Sequence, residues 1–169
     1  MTMDNVLFII DMQEIYAGRG RNKEKYNYDT DRLIDNINLK LAEYKPEEVF
    51  YFKSIAKGLG GILAAMPKAG THEAKFVERL KIVGKNLNER SKPDALSITD
   101  VADFIGSRNI KQIELAGVDV NNSISLTAIT ATNDLNVNLL YNTNCMVFTA
   151  PEKAEKMREK FRRNRVTLL

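Results

Sequence analysis

Short apolar runs alternate along the chain with longer segments in which apolar residues recur every three or four positions. Val6-Leu7-Phe8-Ile9-Ile10 places five apolar residues in a row and ends on Asp11. That pattern predicts a strand buried on both faces, as in a parallel sheet. Glu48–Phe52, Ile113–Val118 and Val137–Tyr141 predict three more strands, Asn86–Arg90 a weaker one, and Val166–Leu169 an edge strand. Between them, Leu33, Ile34, Ile37 and Leu41 share one face of a helix that ends before Pro46. Thr71 is expected to cap a short helix carrying Phe76, Val77 and Leu80, and Thr99 a helix with Val101, Phe104 and Ile105 inward. Ile124, Ala128 and Ala131 line another helix, and Ala154, Met157 and Phe161 line a basic one. The polar stretch from Tyr16 to Thr30 and the Gly-rich Lys57-Gly58-Leu59-Gly60-Gly61 read as loops, the second as a lid.

Strands alternating with helices predict an α/β, three-layer α/β/α domain: a parallel sheet of five to six strands with right-handed crossovers. No repeat or linker divides the chain, so residues 1–169 read as one domain. In such a sheet every strand's C-terminal tip points to one edge, where binding crevices form. Asp11, the Arg90–Lys92 segment and the turn from Val118 to Ser123 should converge there. Alone, Asp11 could equally be an N-cap for the helix that follows it.

Charge and composition narrow the picture. Twenty-five basic against 22 acidic side chains leave +3, too mild to argue for nucleic acid. The basic C-terminal helix reads as a solvated face rather than a nucleic-acid surface. No apolar run reaches membrane-spanning length, and the start of the chain lacks a signal-peptide layout. The single cysteine, Cys145, follows the fifth strand and cannot make an internal disulfide. A packing thiol in a reducing, cytoplasmic setting is expected.

Three segments carry a resemblance. Leu7-Phe8-Ile9-Ile10-Asp11-Met12-Gln13, Gly70-Thr71-His72-Glu73-Ala74, and Ala116-Gly117-Val118-Asp119-Val120-Asn121-Asn122-Ser123-Ile124 with Thr127-Ala128 resemble, in order and spacing, the isochorismatase-like hydrolases (the cysteine hydrolase family). With the helices between them the resemblance covers nearly the whole chain. It implies an isochorismatase-like, Rossmann-like fold and Asp11 as the acid/base. It also implies substrate contacts from Gln13, Tyr16, Val118, Asp119 and Asn122, a small-molecule substrate, and a dimer or tetramer. A cis peptide near Val118-Asp119 would shape an anion-binding turn from the N–H groups of Asp119 to Ser123, as suits a helix N-terminus.

Two family positions differ. Ser123 stands where the family amidases have cysteine, which excludes a thiol mechanism there. A serine needs a dedicated base, and the only histidine, His72, lies outside the turns that carry the chemistry. Ser123 is therefore open to two roles, a helix cap or polar pocket residue, or a nucleophile. Arg90 falls in the slot of the family's lysine, and Lys92, two residues on, would share its face of an extended segment. Either cation would stabilise negative charge beside Asp11. Lys92 is preferred if a proton must move, since Arg does not readily exchange one.

Metal-binding family members carry Asp-x-His after the second strand. Phe52-Lys53-Ser54-Ile55-Ala56-Lys57 offers no such pair, so neither metal nor cofactor is expected. The Gly-rich stretch fits neither the P-loop nor the dinucleotide fingerprint. Tyr16, Tyr26 and Tyr28 either close the pocket or stay solvated. The functional expectation is hydrolysis of a small anionic or amide-bearing molecule, by vinyl-ether cleavage or amide hydrolysis. The alternative is a degenerate member that binds a small molecule or a protein without turnover.

Overall fold

The computed structural model describes residues 4–63, 65–164 and 166. Five strands form one sheet: β1 (Asn5–Ile10), β2 (Val49–Ser54), β3 (Asn86–Arg90), β4 (Gln112–Val118) and β5 (Asn138–Val147). Their order is β3-β2-β1-β4-β5, and every neighbouring pair is parallel. The helices are α1 (Glu14–Ala17), α2 (Thr30–Lys40), α3 (Gly58–Leu63), α4 (Thr99–Ser107), α5 (Ser125–Asp134) and α6 (Ala154–Arg163). None of the described helices is long and apolar enough to cross a membrane. Of the edge strand expected at Val166–Leu169, only Val166 lies within the described residues; it is buried.

Alternation along β1 sorts the core into two layers. Val6, Phe8 and Ile10 face α4, α5 and α6, whose Val101, Ile105, Ala128, Ala131 and Phe161 are buried against them. Leu7 and Ile9 face α2, which contributes Leu33, Ile34 and Ile37. Asp29 accepts the Arg32 N–H at 3.0 Å and starts α2. Both faces of the sheet are thus covered, which explains why β1 is apolar at every position from Val6 to Ile10.

Several local expectations need correction. Residues 71–80 form turns, not a helix. Their backbone instead satisfies the start of α1: Glu14 N–H donates to Lys75 O at 2.9 Å, and Ile15 N–H to Glu73 O at 3.1 Å. Thr71 Oγ1 donates to Lys68 O at 2.9 Å and caps nothing. Tyr16 belongs to the single turn of α1 rather than to a loop, and Gly58 to Leu63 form α3. Thr99 is the first residue of α4, not its cap; Ile98 holds that position. β5 continues past Tyr141 to Val147 and so contains Cys145. Its partners shift from Tyr141 opposite Leu115 to Met146 opposite Gly117, so the exposed Thr143 and Asn144 bulge out. Polar residues ended the apolar run there without ending the strand.

Gly117 decides how closely β4 meets β1. Its φ is +114°, and a Cβ at that position would lie 2.0 Å from Ile10 O. Only glycine tolerates both constraints. This contact holds Val118 and the turn after it beside the tip of β1.

Candidate active site

The tips of β1, β2, β3 and β4 meet at one edge, and Asp11 stands there, directly after β1. Asp11 has a left-handed φ of +53°, which Asp tolerates better than most residues. Its N–H donates to Phe52 O at 2.9 Å, and the chain turns immediately into α1. The carboxylate is buried and accepts three hydrogen bonds. Ser54 Oγ donates to Oδ1 at 2.7 Å; Arg90 Nη2 and Ser123 Oγ donate to Oδ2 at 2.5 and 3.0 Å. The Arg90 and Asp11 side chains are 1% and 6% exposed.

Arg90, not Lys92, therefore faces Asp11. β3 ends at Arg90 and the chain bends through Ser91–Pro93, so the strand alternation that would align Lys92 stops. Lys92 is exposed, and its contribution is its carbonyl, which accepts from Arg90 Nη1 at 2.5 Å. Arg90 Nε finds no partner among the described residues. A buried unpaired donor costs about 1–3 kcal/mol, which the two charged contacts of the same guanidinium offset.

Ser123 is not a cap. The helix beyond β4 opens with a wide turn, Val120–Ile124, that continues into α5. Its cap is Asp119, whose Oδ1 accepts the Asn121 N–H at 2.9 Å. Ser123 sits inside that turn, buried, with its hydroxyl on Asp11. The Val118–Asp119 peptide is cis. Asp119 also accepts from Thr149 N–H at 3.1 Å and from the Thr149 hydroxyl, which ties the turn to the end of β5.

A cavity of about 180 Å³ opens over these groups. Asp11, Ser54, Val118, Asp119, Asn122, Ser123 and Thr149 line it from the sheet edge, Tyr16 from α1, and Lys25, Tyr26, Met66 and Pro93 from the loops. Tyr16 and Tyr26 meet edge to face at 5.5 Å. Burial first, then the Asp11 charge, pushes the Tyr16 phenol up, so it stays a neutral donor. Tyr28 stands behind this wall, donating its hydroxyl to Tyr16 O at 2.7 Å.

Gln13 is placed differently from the sequence expectation. It is fully buried and spends its amide on backbone: Nε2 donates to Ser54 O and Ala74 O at 3.1 Å each, and Oε1 accepts the Ser54 N–H at 2.7 Å. It positions Ser54 rather than lining the cavity. Ser54, Lys25 and Thr149 were missed from the sequence, whereas Tyr26 was among the three tyrosines expected to close the pocket or stay solvated. Ser54 alone had a legible signal, its place at the tip of a predicted strand. The other two reach the site through the first loop and the end of β5.

The residues present do not fit a metal site. Among the described residues no group of three or more His, Cys, Asp or Glu could hold an ion. At the end of β2, buried Ser54 and Ile55 offer neither a carboxylate nor an imidazole. The His72 side chain is 74% exposed and lies 3.8 Å from Glu14. Cys145 is buried on the α2 side of the sheet, where burial pushes its thiol up to about 11. It does not line the cavity.

Comparison with known proteins agrees with this architecture. The isochorismatase domain matches residues 5–168. The fold is similar to that of an isochorismatase family protein from Desulfovibrio vulgaris (20% identity, covering 98% of this chain and 93% of that one, TM-score 0.79). It is also similar to nicotinamidase from Bacillus subtilis (16% identity, 98% and 99%, TM-score 0.74). N-carbamoylsarcosine amidase from Thermoplasma acidophilum is a third such structure (14% identity, 98% and 95%, TM-score 0.77). Among curated proteins no sequence matches this chain. The match along residues 5–168 and the five-stranded parallel sheet agree, and the chain belongs to the isochorismatase-like hydrolase family, as a member with serine in place of the catalytic cysteine.

Proposed function

We propose that the protein hydrolyses a small carbonyl compound, an amide in the first place, with Asp11 as proton acceptor and Ser123 as the hydroxyl that it serves. The observation that carries this reading is the Ser123 Oγ–Asp11 Oδ2 hydrogen bond of 3.0 Å at the floor of the cavity. Asp11 binds three donors with two oxygens and faces a permanent cation. That arrangement suits a carboxylate that accepts hydrogen bonds and protons. Vinyl-ether cleavage ranks second because it leaves the Ser123 hydroxyl beside Asp11 without a role.

In the proposed reaction, Ser123 Oγ bonds to the carbonyl carbon while its proton passes to Asp11 Oδ2. The electrons of the C=O bond move onto oxygen. The first turn of the helix at Val120–Ile124 borders the cavity through Asn122 and Ser123, and its partial positive charge suits that oxyanion. Collapse breaks the C–N bond, and the leaving nitrogen takes the proton from Asp11. Water then passes a proton to the same carboxylate as its oxygen bonds to the acyl carbon; the bond from that carbon to Ser123 Oγ breaks, and Oγ takes the proton back from Asp11 as the acid product leaves. Arg90 and Ser54 hold Asp11 in place throughout. The cavity of about 180 Å³ suits a small molecule. A lone buried thiol suits a protein that works in a reducing cytoplasm.

Wild type, Asp11→Asn and Ser123→Ala assayed against a panel of small primary amides and enol ethers test this. The expected result is amide hydrolysis that falls about 10²–10⁴-fold in Asp11→Asn and also collapses in Ser123→Ala. Enol-ether cleavage that survives Ser123→Ala would shift the assignment to vinyl-ether chemistry. A second reading, binding without turnover, draws support from the same carboxylate, which already accepts from Ser54, Arg90 and Ser123. Absence of any product, with ligand binding intact in Asp11→Asn, would establish that reading instead.

A further inference from the structure

We infer that Lys25 selects the substrate, by receiving a carboxylate group carried by a small, flat molecule whose reacting bond lies over Asp11 and Ser123. This rests on the cavity being the reaction site, and it adds the chemical class of the molecule that enters.

Among the described residues, Lys25 is the one cationic side chain that lines the cavity. Both carboxylates in the lining are already saturated. Asp11 accepts from Ser54, Arg90 and Ser123, and Asp119 from Asn121 and Thr149. Neither needs Lys25, and no described carboxylate lies within ion-pair distance of it. Its one contact of note is the Tyr26 ring, 5.2 Å from Nζ to the centroid. A cation–π contact orients an ammonium while leaving its three N–H donors available.

The wall that carries Lys25 is built to hold it. Arg21 donates to three backbone carbonyls of the same loop: Nη1 to Gly18 O at 3.3 Å, Nε to Tyr26 O at 3.0 Å and Nη2 to Tyr28 O at 2.9 Å. Tyr26 is 8% exposed and locked edge to face against Tyr16. The Arg21 bonds hold the loop backbone, and the exposed Lys25 side chain stands at the cavity rim beside the Tyr26 ring, its ammonium open to a ligand. Met66, Pro93 and Val118 give the cavity an apolar surface for the flat body of the molecule. Such a site places the charge at one end of a planar ligand and the scissile group at the other.

Binding of benzoate and benzamide tests the inference directly, since they match in shape and differ in charge. Titrations at low salt are followed by ligand-observed NMR on protein carrying Ser123→Ala, which cannot turn benzamide into benzoate, with position 25 as in wild type, as Lys25→Met or as Lys25→Arg. Met keeps the apolar stem against Tyr26 and removes the charge. The expected result is benzoate favoured over benzamide by about tenfold with Lys25 in place. The preference should vanish in Lys25→Met, with benzamide binding unchanged, and return in Lys25→Arg. Equal affinities with Lys25 in place, no saturable benzoate binding, or a preference that persists in Lys25→Met would each overturn it. Because the readout is binding, the two proposals fail separately. A Lys25-dependent preference without turnover removes only the hydrolase reading. Amide turnover with a charge preference independent of Lys25 removes only this one.

Discussion

Arginine meets carboxylate twice in this molecule, with opposite consequences. Arg79 binds Asp31 and Asp35 at the surface, its side chain 42% exposed and theirs more so. Solvent screens such pairs, and Arg79→Ala should cost no more than about 1 kcal/mol. Arg90 binds Asp11 where both side chains are buried. Removing it strands a buried carboxylate, and Arg90→Ala should cost about 3–5 kcal/mol. Urea unfolding of the two variants measures the contrast; similar losses would mean that water reaches the Asp11 pair. Gln13 belongs with Arg90. Its partners are 41 and 61 residues away in sequence, so its role was not visible in a local reading. Asp11 was visible because the apolar run before it fixed both its strand and its end of the strand. Ser123 was found by position, but its hydrogen-bond partner lies 112 residues away.

At the scale of elements, β1 and β4 together set the site. Phe8 packs between Phe50 and Phe52, at ring distances of 5.5 and 4.8 Å, and is fully buried. Phe8→Ala should destabilise by about 3–5 kcal/mol through the cavity it leaves. Gly117→Ala tests the close approach of β4 to β1. A methyl group 2.0 Å from Ile10 O, on a backbone at φ +114°, must push the strands apart. The expected outcome is a lower melting temperature and weaker ligand binding at the cavity, read by calorimetry and by the benzoate titration. A variant that melts and binds like wild type would show that the strands have room to move. Strands and long helices were legible because apolar spacing persists over several turns. The segment 71–80 was not, because Phe76, Val77 and Leu80 fit a helical spacing yet reach the core from turns. Lys92 was misplaced for a related reason: alternation predicts a shared face only while the strand lasts, and β3 stops at Arg90.

The whole molecule carries a set of buried acids that must stay protonated. Burial pushes up the Tyr16, Tyr28, Tyr44 and Tyr141 phenols, and the Cys145 thiol to about 11. Each group holds its proton more tightly when folded than when unfolded, so stability is full below the unfolded values and falls as pH rises. For Cys145 the fall begins near the model-compound value of 9.0 and runs to about 11. Stability measured by urea unfolding between pH 8 and 11 should therefore decline, and Cys145→Ala should flatten the lower part of that decline. A thiol reagent at pH 8 should leave Cys145 unmodified until the protein unfolds.

The sequence by itself determined the layers of the fold, the strand that ends on Asp11, and the absence of a thiol at position 123. Each of these depends on residue identity or on periodicity within a dozen residues. Only the tertiary structure decided that Arg90 rather than Lys92 faces Asp11, that Ser54 and Ser123 share its carboxylate, and that Gln13 braces the edge instead of lining it. Hydrogen bonds reach about 3 Å and join strands that are distant in the chain. Their partners are therefore set by strand register and by where each strand stops.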